Sequence, residues 1–347
     1  MSIKKTSFGK LPCGKEVDCY IMKNASGAEL HVLNYGLRVQ TLLVPDKNGK
    51  LTDVVLGYDS IDNYLGADYQ GAFVGRYANR IGDATFSIGN ETYVLDKNDN
   101  ENSLHGGPTG YHQHLWNVQS INDGDEPKMT FMHTSPDGHE GFPGNLELEI
   151  TYTLTKTNEV VFEYSAKTDK ATPFNPTNHS FFNLSGDHNK EVDEVFLTIN
   201  STKSTEVAEN LIPNGNIVSI AGTVLDFSKG KKIGQDIHST EKVVAMCQGF
   251  DHNYCVDGES FRTMAKAFDQ TTGISMEVLS DMPGIQLYTF NGGNGNTGKK
   301  GAIMGDHTAF CLETQFYPDS VNKPSFPYSP VTPSAPFYSK TVYKFSN

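Results

Sequence analysis

Residues 146–155 read LELEITYTLT, with Leu146, Leu148, Ile150, Tyr152 and Leu154 at every second position. Side chains alternate across a β-strand, so this spacing puts all five on one face. Asn158 and its neighbours turn the chain, and Val160–Ala166 returns as a second apolar run. The two together predict an antiparallel ribbon with one buried face. Shorter runs of the same kind precede it at Val17–Met22, Glu29–Leu33, Val39–Val44 and Thr52–Leu56. Lys47-Asn48-Gly49, between the last two, carries the Asn-Gly hairpin signal. Others follow at Val195–Ile199, Ile274–Leu279, Ile285–Phe290, Phe310–Thr314 and Thr341–Phe345. Only Asp59–Leu65 and Pro318–Val321 suggest a helical turn. The expected fold is all-β, a large antiparallel β-sandwich with few short helices.

Composition agrees with that reading. The 347 residues include 20 Phe, 16 Tyr and 33 Gly, as a turn-rich β protein requires. No break in composition divides the chain, so residues 1–347 are expected to form a single domain. Asp96–Asn102 (DKNDNEN) reads as a loop, and Asn291–Lys300 (NGGNGNTGKK) as a flexible one. A net charge of −13 argues against nucleic acid and against an anionic membrane surface, both of which need clustered Lys and Arg. A neutral partner is indifferent to that field. The five cysteines are odd in number and form no CxxC pair, which fits a reducing compartment. The opening MSIKKTSFGKLPCGK has no apolar run of a signal peptide, and no stretch is long and apolar enough to span a bilayer. The cytoplasm is the expected location, with monomer and homodimer both compatible.

Polar residues set among apolar strand residues need a reason to be there. In GRYANRI (75–81), two arginines flank Tyr77 and Asn79. They read either as solvated surface cations or as a loop whose Asn79 and Arg80 enter a cleft and bind hydroxyls, a task that suits the donor fork of Arg. In NSLHGG (102–107), Gly106 and Gly107 permit a tight turn with His105 on its rim. His112 and His114 in YHQHLW lack a nearby carboxylate or Cys at ligand spacing, so a solvated loop is expected there rather than a metal pair. In NPTNHSFFNL (175–184), His179 reads as a core histidine or as a proton donor and acceptor near neutrality. Glu313 ends the apolar run AFCLETQ (309–315), where a carboxylate is costly unless it faces water or a site. Asp251 in GFDHNY (249–254) reads equally as turn chemistry. No Walker loop, Rossmann fingerprint, GxSxG elbow or HExxH is present, which removes nucleotide, hydride and zinc-peptidase chemistries as leading options.

Taken together and in order, these segments resemble the aldose 1-epimerase (galactose mutarotase) family. The likeness runs nearly end to end, adding SPDGHEGFPGNL (135–146), NLIPNG (210–215), GTVLDF (222–227), GIQLYT (284–289) and PDSVN (318–322). It implies the family's galactose mutarotase-like supersandwich and an open sugar cleft. It implies Glu313 as general base and His179 as general acid in the interconversion of hexose anomers. Asn79, Arg80, His105, Asp251 and Gln286 match positions that bind sugar hydroxyls. Ring opening and closure move protons only, so neither metal nor organic cofactor is required, and the implied partner is a free aldohexose. Where the family commonly has Tyr after NHS, this chain has Phe181; where it often has His after LETQ, this chain has Phe316; and Phe290 follows GIQLYT. Phe142, Phe182 and Trp116 are candidates to cover the apolar face of a pyranose, with core packing the competing role for each. Two rivals stand beside this reading. One is an enzyme for a phosphorylated hexose, which needs an extra cation cluster that the sequence does not offer. The other is a catalytically silent sugar-binding module, which needs no acid/base pair.

Overall fold

A computed structural model describes residues 2–66, 68–258, 260–293 and 295–347. Leu146–Leu154 forms a strand whose five alternating apolar side chains are all buried. It pairs antiparallel with Glu159–Thr168, Ile150 lying opposite Tyr164. This ribbon sits inside a nine-stranded sheet. On one side lie Lys128–Ser135 and the edge strand Asn117–Asn122. On the other lie Phe337–Ser346, Ser275–Ser280, Arg262–Phe268, Phe196–Ile199 and Lys231–Lys232. The last long strand of the chain therefore bridges residues 159–168 and residues 275–280.

A second sheet takes the N-terminal strands in chain order, from Ile3–Lys10 through Glu16–Lys23, Glu29–Leu33 and Arg38–Pro45 to Leu51–Asp53. The predicted hairpin closes its last pair. The Asp46 carboxylate accepts from the amides of Asn48 (2.8 Å) and Lys50 (2.9 Å), and Gly49 takes φ 78°. A third sheet has the order Pro213–Ser219, Lys203–Val207, Asp251–Cys255, Gly284–Tyr288 and Cys311–Gln315. All three sheets feed one core. Leu30 and Val32 of the second sheet pack in the same cluster as Ile150 and Phe162 of the first and Leu287 and Leu312 of the third.

That packing positions everything that follows. Tyr254, Ile285, Leu287 and Leu312 point into the core, so strand alternation turns Asp251, Asn253, Gln286, Tyr288 and Glu313 to the opposite face.

Helix is scarce, as expected. The two helical turns are 3-10 segments, Ile61–Tyr64 and Ser320–Asn322, and the α-helix among the described residues is Lys242–Ala245. None is long and apolar enough to cross a membrane. All five cysteines are free, with only Cys13 exposed. The loop expected to be flexible at 291–300 is in part ordered by pairing. Asn296–Thr297 pairs with Ile303–Met304, and Lys299 is buried against Asp53, its Nζ 2.7 Å from Oδ2. Asn294 lies outside the described residues.

Candidate functional site

Strand ends and turns converge on one cavity of about 300 Å³. Cys311–Gln315 brings Glu313, the short strand Thr177–His179 brings His179, and Asp251–Cys255 brings Asp251. The two-residue pairing of Arg80–Ile81 with Ser103–Leu104 sets Asn79, Arg80 and His105 on the remaining polar wall. These six of the seven sequence candidates meet around the same space. Gln286 stands one step behind it. It lies opposite Glu313 in register and donates from Nε2 to Oδ1 of Asp251 at 2.6 Å.

Glu313 is 2% exposed and His179 5%. Nε2 of His179 lies 3.6 Å from Oε1 of Glu313. Burial, with the Asp251 charge adding to it, pushes the Glu313 carboxyl well above the usual range. Burial likewise pushes the His179 imidazole down to about 4. Both shifts have the same first cause, burial disfavouring the charged form of each group. A raised carboxyl makes a stronger base and a lowered imidazolium a stronger acid.

The binding wall is fixed by backbone contacts. His105 has φ 53°, and Gly106 follows it at φ 85°. A Cβ on Gly106 would sit 2.2 Å from the Gly75 carbonyl, so only glycine lets the turn press this close. Nδ1 of His105 accepts from the Asn79 amide at 3.1 Å. An amide can only donate, so in neutral His105 the ring proton is on Nε2, which is a fixed donor. The ligand atoms of His105, His179 and Glu313 come within 4.8 Å of one another, near enough for a metal ion. The protonated Nε2 leaves His105 with no lone pair to give, so this trio suits hydroxyl binding and proton transfer better than metal binding.

Asp251 is held from three sides. Arg80 faces it through Nη1 at 3.5 Å while Nε bonds Asp99 at 2.7 Å. Gln286 donates to it, and its own amide donates to Nδ1 of His252 at 3.0 Å, whose Nε2 lies 3.0 Å from the Val243 carbonyl.

The expectation of solvated cations at 75–81 fails for Arg76. It is 1% exposed and donates to the carbonyls of Pro143 (2.7 Å) and Gly144 (3.0 Å), to the Thr172 hydroxyl (3.0 Å) and to the Ser135 hydroxyl (2.7 Å). The solvated loop expected at 112–114 is also corrected. His112 is fully buried beneath Tyr69, ring centres 4.6 Å apart, and His114 is partly buried with Nδ1 3.1 Å from Nε2 of His133. Phe142, Phe182 and Trp116 all belong to the core, so none of them lines the cavity.

Tyr69, Phe181, Tyr288 and Phe290 line the cavity. Phe181 stacks on His179 with centres 4.9 Å apart and planes at 19°. Residues 179 and 181 are two apart in sequence, a spacing that offered the clue. Tyr69 sits 4.6 Å from His105 and lies in an irregular segment with no such signal. Arg38, fully buried, holds that segment by donating to the Asp68 carboxylate (3.1 Å) and to the carbonyls of Asp68 (2.6 Å) and Gln70 (2.8 Å). Of the family departures, Phe181 and Phe290 reach the cavity, whereas Phe316 packs on Tyr328 and Phe337 away from it.

The chain is similar to known proteins over nearly its whole length. The family model described as aldose 1-epimerase matches residues 18–344. Galactose mutarotase of Mus musculus is 38% identical over 352 residues, covering 100% of this chain and 99% of its own. The Homo sapiens galactose mutarotase is 36% identical, covering 99% of each. Among solved structures, galactose 1-epimerase from Lactobacillus acidophilus superposes with a TM-score of 0.87 at 27% identity, covering 99% of this chain and 98% of that one.

Proposed function

Because the chain belongs to the aldose 1-epimerase family, we infer that Glu313 and His179 are the acid/base pair of its reaction, across residues 1–347 acting as one domain. The protein is an isomerase that interconverts the α and β anomers of a free hexose, with galactose and glucose as the model substrates. The observation that carries the residue roles is the 3.6 Å approach of the His179 imidazole to the Glu313 carboxylate inside one cavity with an aromatic and a polar wall.

Opening a hemiacetal ring removes the proton from the C1 hydroxyl and adds one to the ring oxygen. Glu313 takes the first while His179 supplies the second, which avoids both an alkoxide and a cationic intermediate. The aldehyde turns about C1–C2 and presents its other face, and closure reverses both transfers. Asn79, Arg80, His105 and Asp251 hold the sugar hydroxyls, and Gln286 holds Asp251. The aromatic wall takes the apolar face of the ring. A neutral sugar suits this site better than a phosphorylated one. Arg80 is the cavity's cation among the described residues, and Asp99 and Asp251 already engage it.

Polarimetry of freshly dissolved α-D-galactose tests the function. The enzyme is expected to speed the approach to the equilibrium rotation, and to do so far more effectively than with glucose 6-phosphate in a matched assay. A preference for the phosphate reverses the assignment.

The pH profile tests the electrostatics. The Asp251 charge raises both Glu313 and His179. Replacing it by Asn removes that push, so both groups titrate lower. The whole kcat/KM profile of Asp251→Asn is expected to move to lower pH, along with a higher KM. A profile that stays in place, or moves up, contradicts the charge coupling.

A further inference from the structure

Gln315 ends the motif that carries Glu313, and none of the chemistry above uses it. It is fully buried, and neither end of its side-chain amide has a hydrogen-bond partner among the described residues. Oε2 of Glu313, Oε1 of Gln286 and Oδ1 of Asn253 are buried and unpartnered as well. The strand register sets the residues that carry them side by side. Asn253 lies opposite Gln286, and Gln286 opposite Glu313; in the next row Gly284 lies opposite Gln315. Opposed residues share a face, as do residues two apart on one strand. All four polar side chains therefore leave the same face, the one turned away from the core residues Ile285 and Leu312.

Buried polar groups almost always find partners, in protein or in ordered water. A cluster of unpartnered atoms in register thus points to a shared partner. The sugar is not that partner for Asn253 and Gln315, which lie off the cavity wall. Four of these five atoms are oxygens that can only accept, and the fifth is the amide nitrogen of Gln315. The amide nitrogens of Gln286 and Asn253 face Asp251 and the Cys255 sulfur. Water donates twice and accepts twice, which fits this set.

We propose that ordered water, held by Gln315, Gln286 and Asn253, hydrogen-bonds the inner oxygen of Glu313 and keeps that carboxylate available as a base. Gln315 is then a positioning residue. The proposal rests on Glu313 being the base. A donor to the ionised carboxylate favours the charged form and opposes the burial that disfavours it. The titratable and charged groups facing Glu313 are His179, His105, Asp251, Arg80, Cys311, Tyr288 and Tyr343, and the test leaves all of them in place.

Gln315→Leu keeps the approximate size and removes every donor and acceptor. Its kcat/KM profile for galactose is expected to have the Glu313 limb displaced upward by about one pH unit, the other limb holding, with KM nearly unchanged. Gln315→Asn, which retains an amide and makes room for one more water, returns the limb toward wild type. A purely structural role predicts altered stability with an unmoved profile, and that result overturns the proposal. Should Gln315→Leu not fold, Asn253→Leu carries the same expectation and the same refutation. Glu313→Gln separates the two levels. If it is inactive while Gln315→Leu shows no shift, only the water layer falls; if it is fully active, the base assignment falls and takes the water layer with it.

Discussion

Replacing Glu313 by Gln is expected to lower kcat for galactose mutarotation by about 10³-fold, within the range that positioned proton transfer contributes. Gln has nearly the same shape, so the strand pairing of residue 313 with residue 286 and the packing of the cavity persist. What is lost is the ability to accept a proton from the C1 hydroxyl. His179→Asn is expected to lose a similar factor, since the ring oxygen then leaves without a proton. The double variant should be little worse than either single one, because the two transfers serve one step and their effects do not add. Thermal stability of Glu313→Gln should match or exceed wild type. Burial disfavours the charged carboxylate, and a neutral amide escapes that penalty. Polarimetry reads the rate and circular dichroism the fold. A variant with native dichroism and wild-type rate would remove Glu313 from the chemistry.

The sequence carried this site further than it carried the frame around it. Glu313 was a candidate because a carboxylate on an apolar strand is costly, and His179 because it borders the aromatic pair Phe181-Phe182, but it was the resemblance to a family, not either pattern, that picked these two from among the other polar candidates. The strands were legible where one face is buried: at residues 146–154 every second side chain reaches the core. They were illegible where pairing comes from the backbone alone. Ile3–Lys10 pairs with Glu16–Lys23 along its length, yet only Ile3 of its eight side chains is buried. Asn117–Asn122, at the edge of the nine-stranded sheet, buries none. Tyr69 was beyond reach for another reason. Its position depends on Arg38, some thirty residues earlier, whose guanidinium holds the Asp68 carboxylate together with the carbonyls of Asp68 and Gln70 that any sequence would provide. Arg76 shows the same limit. A cation satisfied by carbonyls and hydroxyls leaves no trace in residue type, so a solvated arginine and a buried one read alike.

Lys299 extends that limit into a prediction about stability. A lysine beside a run of Gly and Asn reads as loop polarity, but its side chain is 3% exposed and pairs with an Asp53 side chain that is 7% exposed. Nζ also donates to the Gln40 carbonyl at 2.7 Å and lies 3.4 Å from the Thr41 hydroxyl. The pair ties residues 299–301 to the edge of the N-terminal sheet, where Asp53 also accepts from the Leu42 amide at 3.3 Å. Burial lowers the Lys299 pKa and the Asp53 charge opposes that shift, so neither partner is comfortable without the other. Lys299→Met is expected to cost about 3–5 kcal/mol, because it leaves the nearly buried Asp53 carboxylate without its cation. Lys299→Met with Asp53→Asn should recover at least half of that loss, since the stranded charge goes with the lysine. Urea unfolding measures both, read as a shift in midpoint at constant slope. Equal losses in the single and double variants would mean that Lys299 acts through packing of its chain and not through its charge.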